Sequence, residues 1–186
     1  MASVMEPIPV TVTHLEMRAP PAHYPPLPLN VHVAVLTARS MPRHFYRYLM
    51  DRVGRQWHWV NMLRLDDAAL DARLAEHGRE ISTLYLDGSP AGFFELAPHG
   101  ADVAELHFFG LMPHAMGQGL GRWFLGAAIH AAWASKPRSV IVQTCTLDHP
   151  AALPLYQRLG FEPVGQSQEK ITPISPDERA KVLAQG

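Results

Sequence analysis

The sequence predicts a mixed α/β domain: a central, twisted, mostly antiparallel sheet flanked by helices. Three observations predict it. Residues 81–86, 91–96 and 103–111 are β-rich and are separated by the turn signals Asp87-Gly88 and His99-Gly100, which is the pattern of an antiparallel meander. The segment from Gly117 to about Ala134 opens on glycines and carries so little polar face that it must pack against a sheet. Residues 140–146, 150–159 and 161–164 then read as strand, helix and strand, with Gly160 ending the helix.

The remaining elements follow in order. Residues 8–17 alternate in part (Val10, Val12, Leu15, Met17) and read as a strand near an edge. Five prolines between positions 20 and 28 fix φ and remove donors, so residues 20–28 form a stiff extended connector. Residues 31–36 form a short strand. Ser40 is the expected N-cap, with Met41-Pro42 in the first turn, of a helix through Phe45, Leu49 and Val53 that Gly54 ends. After Gln56-Trp57-His58-Trp59, Asp66 or Asp67 caps a helix whose Leu70, Leu74 and His77 share a face as far as Gly78. The final strand extends toward Ile171, and the tail from Pro173 forms a partly exposed short helix.

Composition bounds the function. With 186 residues, 47% hydrophobic and 18% charged, residues 1–186 make one globular domain. Sixteen Lys+Arg against seventeen Asp+Glu leave no basic footprint for nucleic acid. No run approaches the ~18 apolar residues of a membrane span, and residues 1–17 lack the pattern of a secretory leader. The expectation is a cytoplasmic protein that binds neither nucleic acid nor membrane. The single cysteine, Cys145, lies on an expected core strand and reads as a buried hydrophobe rather than a nucleophile. The eleven histidines show no paired spacing for zinc, so no metal is expected.

Gly117, Gly119 and Gly121 sit between a strand and a helix. Such a turn presents successive backbone N–H groups at the positive end of the helix dipole, and glycines let a phosphate approach closely. A Walker loop is excluded because Arg122-Trp123 follows the last glycine. The dinucleotide fingerprint is excluded because these glycines are spaced by twos.

At these residues the chain resembles a known family. LHFFGLMPHAMGQGLGRWFLGAAIHAA is similar to the central motif of the GCN5-related N-acetyltransferases (GNAT), and SVIVQTCTLDHPAALPLYQRLGFEPVG resembles the segment that follows it there. The matched stretches cover residues 103–165. The resemblance implies a GNAT-like fold, acetyl-CoA as cosubstrate, and acetyl transfer to a primary amine of a small molecule. Carried over position by position, it implies cofactor contacts at Leu111, Met116, Gly117, Gln118, Gly119, Leu120, Gly121, Arg122, His149 and Tyr156. Met116 stands where the family usually has Arg or Gln, and His149 where it usually has Asn, so two side-chain contacts are altered while the backbone chemistry is kept.

The resemblance further implies that the strand ending at Leu111 splays from Gln143–Cys145 to admit the pantetheine arm, with Gly110 suited to a bulge there and the Leu111 N–H polarising the thioester carbonyl. Tyr156 matches the family's proton donor to the departing thiolate. Glu105, His107 and Glu95 are the candidates for the base that deprotonates the amine. Glu105 is preferred, because the family often draws its base from this strand. Glu95, His107, Trp57 and Trp59 are expected around the acceptor. Homodimerisation, common in the family, is allowed by an edge strand near either terminus. Two alternatives stand beside acetyl transfer: transfer of a longer acyl group, and a CoA-binding regulatory module without turnover.

Overall fold

The computed structural model describes residues 5–185; residues 1–4 and 186, which the single-domain and leader readings include, lie outside the described residues. Seven strands form one sheet: β1 (Ile8–Met17), β2 (Val33–Thr37), β3 (Glu80–Leu86), β4 (Ser89–His99), β5 (Val103–Leu111), β6 (Ser139–Cys145) and β7 (Glu162–Ile171). Their order is β2-β3-β4-β5-β6-β1-β7, antiparallel throughout except for the β5–β6 pair. The helices are α1 (Arg43–Gly54), α2 (Asp67–Leu74), α3 (Leu120–Ala134), α4 (Ala152–Arg158) and α5 (Pro176–Ala184). The expected fold class and the β3–β5 meander are present, and Asp87 and Gly88 make the hairpin turn at positive φ.

β1 lies near an edge, as expected: it runs between β6 and the edge strand β7, with Val12–Met17 against Cys145–Val140 and Ile8–Glu16 against Ile171–Glu162. Of its polar Thr11, His14 and Glu16, two find partners on β7, where His14 meets Ser167 and Thr11 meets Gln168. Two local expectations are corrected. Ser40 does not cap α1. Pro42 is the cap residue, extended at φ −73°, and its carbonyl accepts the Phe45 and Tyr46 N–H groups. His77 falls beyond α2, which ends at Leu74; Asp66 caps that helix by accepting the Ala69 N–H at 2.8 Å.

The sheet has a core on each face. On one, Leu120, Phe124, Leu125, Ala128 and Ile129 of α3 pack on Leu15, Phe94, Leu96, Leu106, Val140 and Val142. The Phe124 ring sits 5.5 Å from both Phe94 and Phe109. On the other face, Tyr46, Leu49, Met50 and Val53 of α1 pack on Ile81, Phe93 and Met112, joined by Ile174 from the C-terminal segment. α5 is held to α1 by buried Asp51, which accepts from both Arg55 and Arg179.

The proline-rich connector runs along α3. Tyr24 meets His130 edge-on at 5.3 Å, Pro25 lies where a Cβ on Gly126 would come within 2.8 Å, and Pro28 reaches the Gly119 turn. Extended proline backbone needs no ladder partners, which suits a segment lying across a helix.

A gap between two strands as the candidate active site

The parallel β5–β6 ladder pairs Val103–Leu106 with Ser139–Val142 and stops there. Beyond it, β5 stays bonded to β4 as far as Leu111, while β6 stays bonded to β1 as far as Cys145. The two strands therefore part, and a cavity of about 520 Å³ opens between them and reaches both faces of the sheet. Backbone N–H groups alternate sides along a strand. The Met112 N–H bonds the Ala91 carbonyl on the β4 side at 2.7 Å, so the Leu111 N–H points the other way, into the gap.

Gly110 is not bulged. The extra residue of β5 is His107, where the β4 register shifts between Glu95 and Leu96. Gly110 is required for space: a Cβ there would sit 2.4 Å from Val53 Cγ1 and 3.3 Å from the Trp59 ring. The glycine thus lets α1 and Trp59 close over β5.

On the α3 side of the gap lies the glycine turn. Gly117 and Gly119 have φ of 76° and 75°, and Gly119 serves as the α3 cap residue with no side-chain cap. The N–H groups of the first α3 turn are left for an anion. Met116, Gly117, Gly119, Gly121 and Arg122 line the cavity. Gln118 turns back to donate to the His114 carbonyl at 2.9 Å, and the Leu120 side chain is fully buried in the core, so only their backbones remain available. The residues present fit a pyrophosphate: free amides, open space at Gly117, and one cation, Arg122.

Tyr156 of α4 is buried and lines the gap, and its hydroxyl has no hydrogen-bond partner among the described residues. Burial, aided by the Asp148 charge, pushes its pKa well above the ordinary phenol value. His149 lines the gap too. Its Nδ1 accepts the Ala151 N–H at 3.0 Å just before α4, and Trp57 packs edge-on against its ring.

On the α1 side stand Trp57, Trp59 and Phe108, with the Trp59 and Phe108 rings 5.0 Å apart. Glu105 and His107 share this face. The His107 Nδ1 lies 3.2 Å from Glu105 Oε1, and His99 approaches the other carboxylate oxygen at 3.6 Å. The His107 hydrogen bond outweighs burial and holds the Glu105 carboxyl below its ordinary range. Glu95 is placed elsewhere. It is fully buried, bonded by the Tyr46 hydroxyl at 2.6 Å and by Arg79, and does not line the cavity. Its neighbour Phe93 faces the same α1 core, and the carboxylate is neutralised inside it.

Asp148 is a site residue that the sequence reading missed. Its Oδ2 accepts the Thr144 hydroxyl at 2.8 Å and the Cys145 N–H at 2.9 Å, while Oδ1 accepts the Trp59 indole N–H at 3.2 Å. It therefore fastens Trp59, on the α1 side of the gap, to the loop that follows β6. An Asp shortly before a proline at a strand-to-helix turn was the available signal. The Trp59 contact, 89 positions away in sequence, had none.

Among the described residues, no group of three or more His, Cys, Asp or Glu side chains is placed to hold a metal, and no helix is long and apolar enough to cross a membrane.

A model of the acetyltransferase (GNAT) family matches residues 39–161, well over half of the chain. A mycothiol acetyltransferase from Mycobacterium sp. (strain JLS) is 26% identical over 161 residues, covering 80% of this chain and 52% of that protein. The chain spans about half the length, or less, of the curated relatives it matches. Among solved structures, a GCN5-related N-acetyltransferase from Sphaerobacter thermophilus superposes with a TM-score of 0.58 at 14% identity, covering 91% of this chain and 54% of that one. An aminoglycoside N-acetyltransferase, AAC(6')-Iy, in complex with CoA superposes at 0.51 and 20% identity, covering 75% and 93%. These likenesses concern the fold.

Proposed function

The chain belongs to the acetyltransferase (GNAT) family, and on that premise we propose that it transfers the acetyl group of acetyl-CoA to a primary amine of a small molecule. The observation that carries this reading is the parting of β5 and β6, which turns the Leu111 N–H into a gap lined at one end by the glycine turn. Acetyl-CoA supplies an acetyl group activated as a thioester.

The chain's own residues do the rest. Backbone amides from Gly117 to Arg122 and the Arg122 side chain hold the pyrophosphate at the start of α3. The Leu111 N–H polarises the carbonyl, and a preorganised donor of this kind contributes about 3 kcal/mol. The Glu105 carboxylate, held below its ordinary range, is a weaker base than a free one. It accepts from the His107 Nδ1, which leaves Nε2 to take the ammonium proton. The amine nitrogen then bonds to the carbonyl carbon as the carbon–sulfur bond breaks, and the nitrogen releases its second proton to solvent as the amide forms. Tyr156, which burial keeps protonated while making it a weaker acid than a free phenol, is the hydroxyl at the gap that gives its proton to the departing thiolate and regains one from solvent.

Calorimetric titration with acetyl-CoA, and separately with NAD and ATP, tests the first half: micromolar binding of acetyl-CoA alone is expected. Thiol release across a panel of amines tests the second. Binding without thiol release from any amine would convert the reading to a CoA-binding module.

A further inference from the structure

The charges around the gap are divided between its two ends. Arg122 is the sole Lys or Arg among the lining residues, and it stands at the glycine turn on the α3 side. On the α1 side the carboxyl groups are Glu105 and Asp148, among the aromatic rings of Trp57, Trp59 and Phe108. The imidazoles there do not redress this balance. His107 is bonded to Glu105 through Nδ1 and His149 accepts a backbone N–H at Nδ1, so with His58 they leave single ring nitrogens toward a ligand and no forked guanidinium such as Arg122 supplies at the other end.

We propose, building on the acetyl-transfer reading, that the acceptor is a primary amine on an aromatic or otherwise apolar body, with no carboxylate or phosphate beside the amine. An ammonium entering this end meets aromatic faces, a favourable contact of a cation with a π system, and the Glu105 carboxylate. A carboxylate next to the amine meets two like charges and no fixed cation to form the paired hydrogen bonds an anion requires. The apolar body displaces water from rings that are only partly buried.

The test is binding to the CoA-saturated protein, by calorimetry, of phenethylamine and of L-phenylalanine, which carry the same ring and amine and differ by one carboxylate. Phenethylamine is expected to bind tighter by about tenfold or more. Glu105→Gln is expected to narrow that preference by about threefold, since the repulsion loses one of its two sources. Equal or tighter binding of L-phenylalanine overturns the proposal, as does absence of phenethylamine binding while CoA still binds. A preference unchanged in Glu105→Gln overturns its electrostatic basis. Failure of CoA itself to bind falls on the acetyl-transfer reading instead, so the two failures are distinguishable.

Discussion

The two ends of the gap are built in different ways. The α3 end is made of backbone: the Gly117–Gly121 turn, the uncapped first turn of α3 and the Leu111 N–H. The α1 end is made of side chains from segments far apart in sequence, with Trp59 tied to Asp148 and Glu105 flanked by His107 and His99. Backbone chemistry tolerates exchange of neighbouring side chains, which is why Met116 and His149 can depart from the family pattern. The side-chain end has no such freedom, and there each replacement changes what can bind.

That contrast can be broken at several points. The largest effect is expected at Tyr156, where Tyr156→Phe removes the hydroxyl proposed as the proton donor. Turnover should fall by about 10²–10⁴-fold while acetyl-CoA affinity, read by calorimetry, stays nearly unchanged. A parallel loss of affinity would assign Tyr156 to binding. Next comes Gly110→Ala, whose Cβ would overlap Val53; denaturant unfolding should register a loss of about 1–3 kcal/mol. Gly117→Ala meets no atom within 4 Å and pays only for its positive φ, about 1 kcal/mol. Its damage should appear in acetyl-CoA affinity rather than stability.

Asp148→Ala removes the acceptor of three hydrogen bonds and should cost about 1–3 kcal/mol. It should also shift Trp emission to the red as Trp59 loses its anchor. An unshifted spectrum would mean that packing on Gly54 and Gly110 is enough to hold the ring. Met116→Arg places a cation beside the glycine turn and should tighten acetyl-CoA binding by several-fold, on the order of 1 kcal/mol. This sharpens the claim that the amides and Arg122 hold the pyrophosphate without a side-chain contact from position 116.

The smallest effect is the acid dependence of stability at Glu105. The hydrogen bond from His107 holds its folded pKa below the ordinary carboxylate value, so the native state favours the carboxylate. That contribution is fully present above the ordinary value and is lost as pH falls through the folded one. Urea midpoints measured from about pH 6 to about pH 3 should therefore decline less in Glu105→Gln than in the parent chain.

Much of the fold was legible because its signals are local. Asp87-Gly88 marks a hairpin by the φ it needs, Asp66 caps α2 through a bond three residues away, and the glycines before α3 mark a free helix start. The candidate site was legible to the same depth. Glu105 and His107 fell on one face because the strand alternates, and a bulge at His107 then set their exact contact. Glu95 misled the reading because alternation gives the face of a residue but not whether Tyr46 and Arg79 will bury it there.

By itself the sequence determined the elements, their order and the glycine turn before α3, since each depends on torsion preferences and hydrogen bonds within a few residues. Only the tertiary structure decided that β1 is inserted between β6 and β7, that Gly110 is there for Val53 and Trp59, and that Asp148 reaches Trp59. These depend on which distant segments meet, and strand pairing and side-chain packing are fixed by burial over the whole chain rather than by any local pattern.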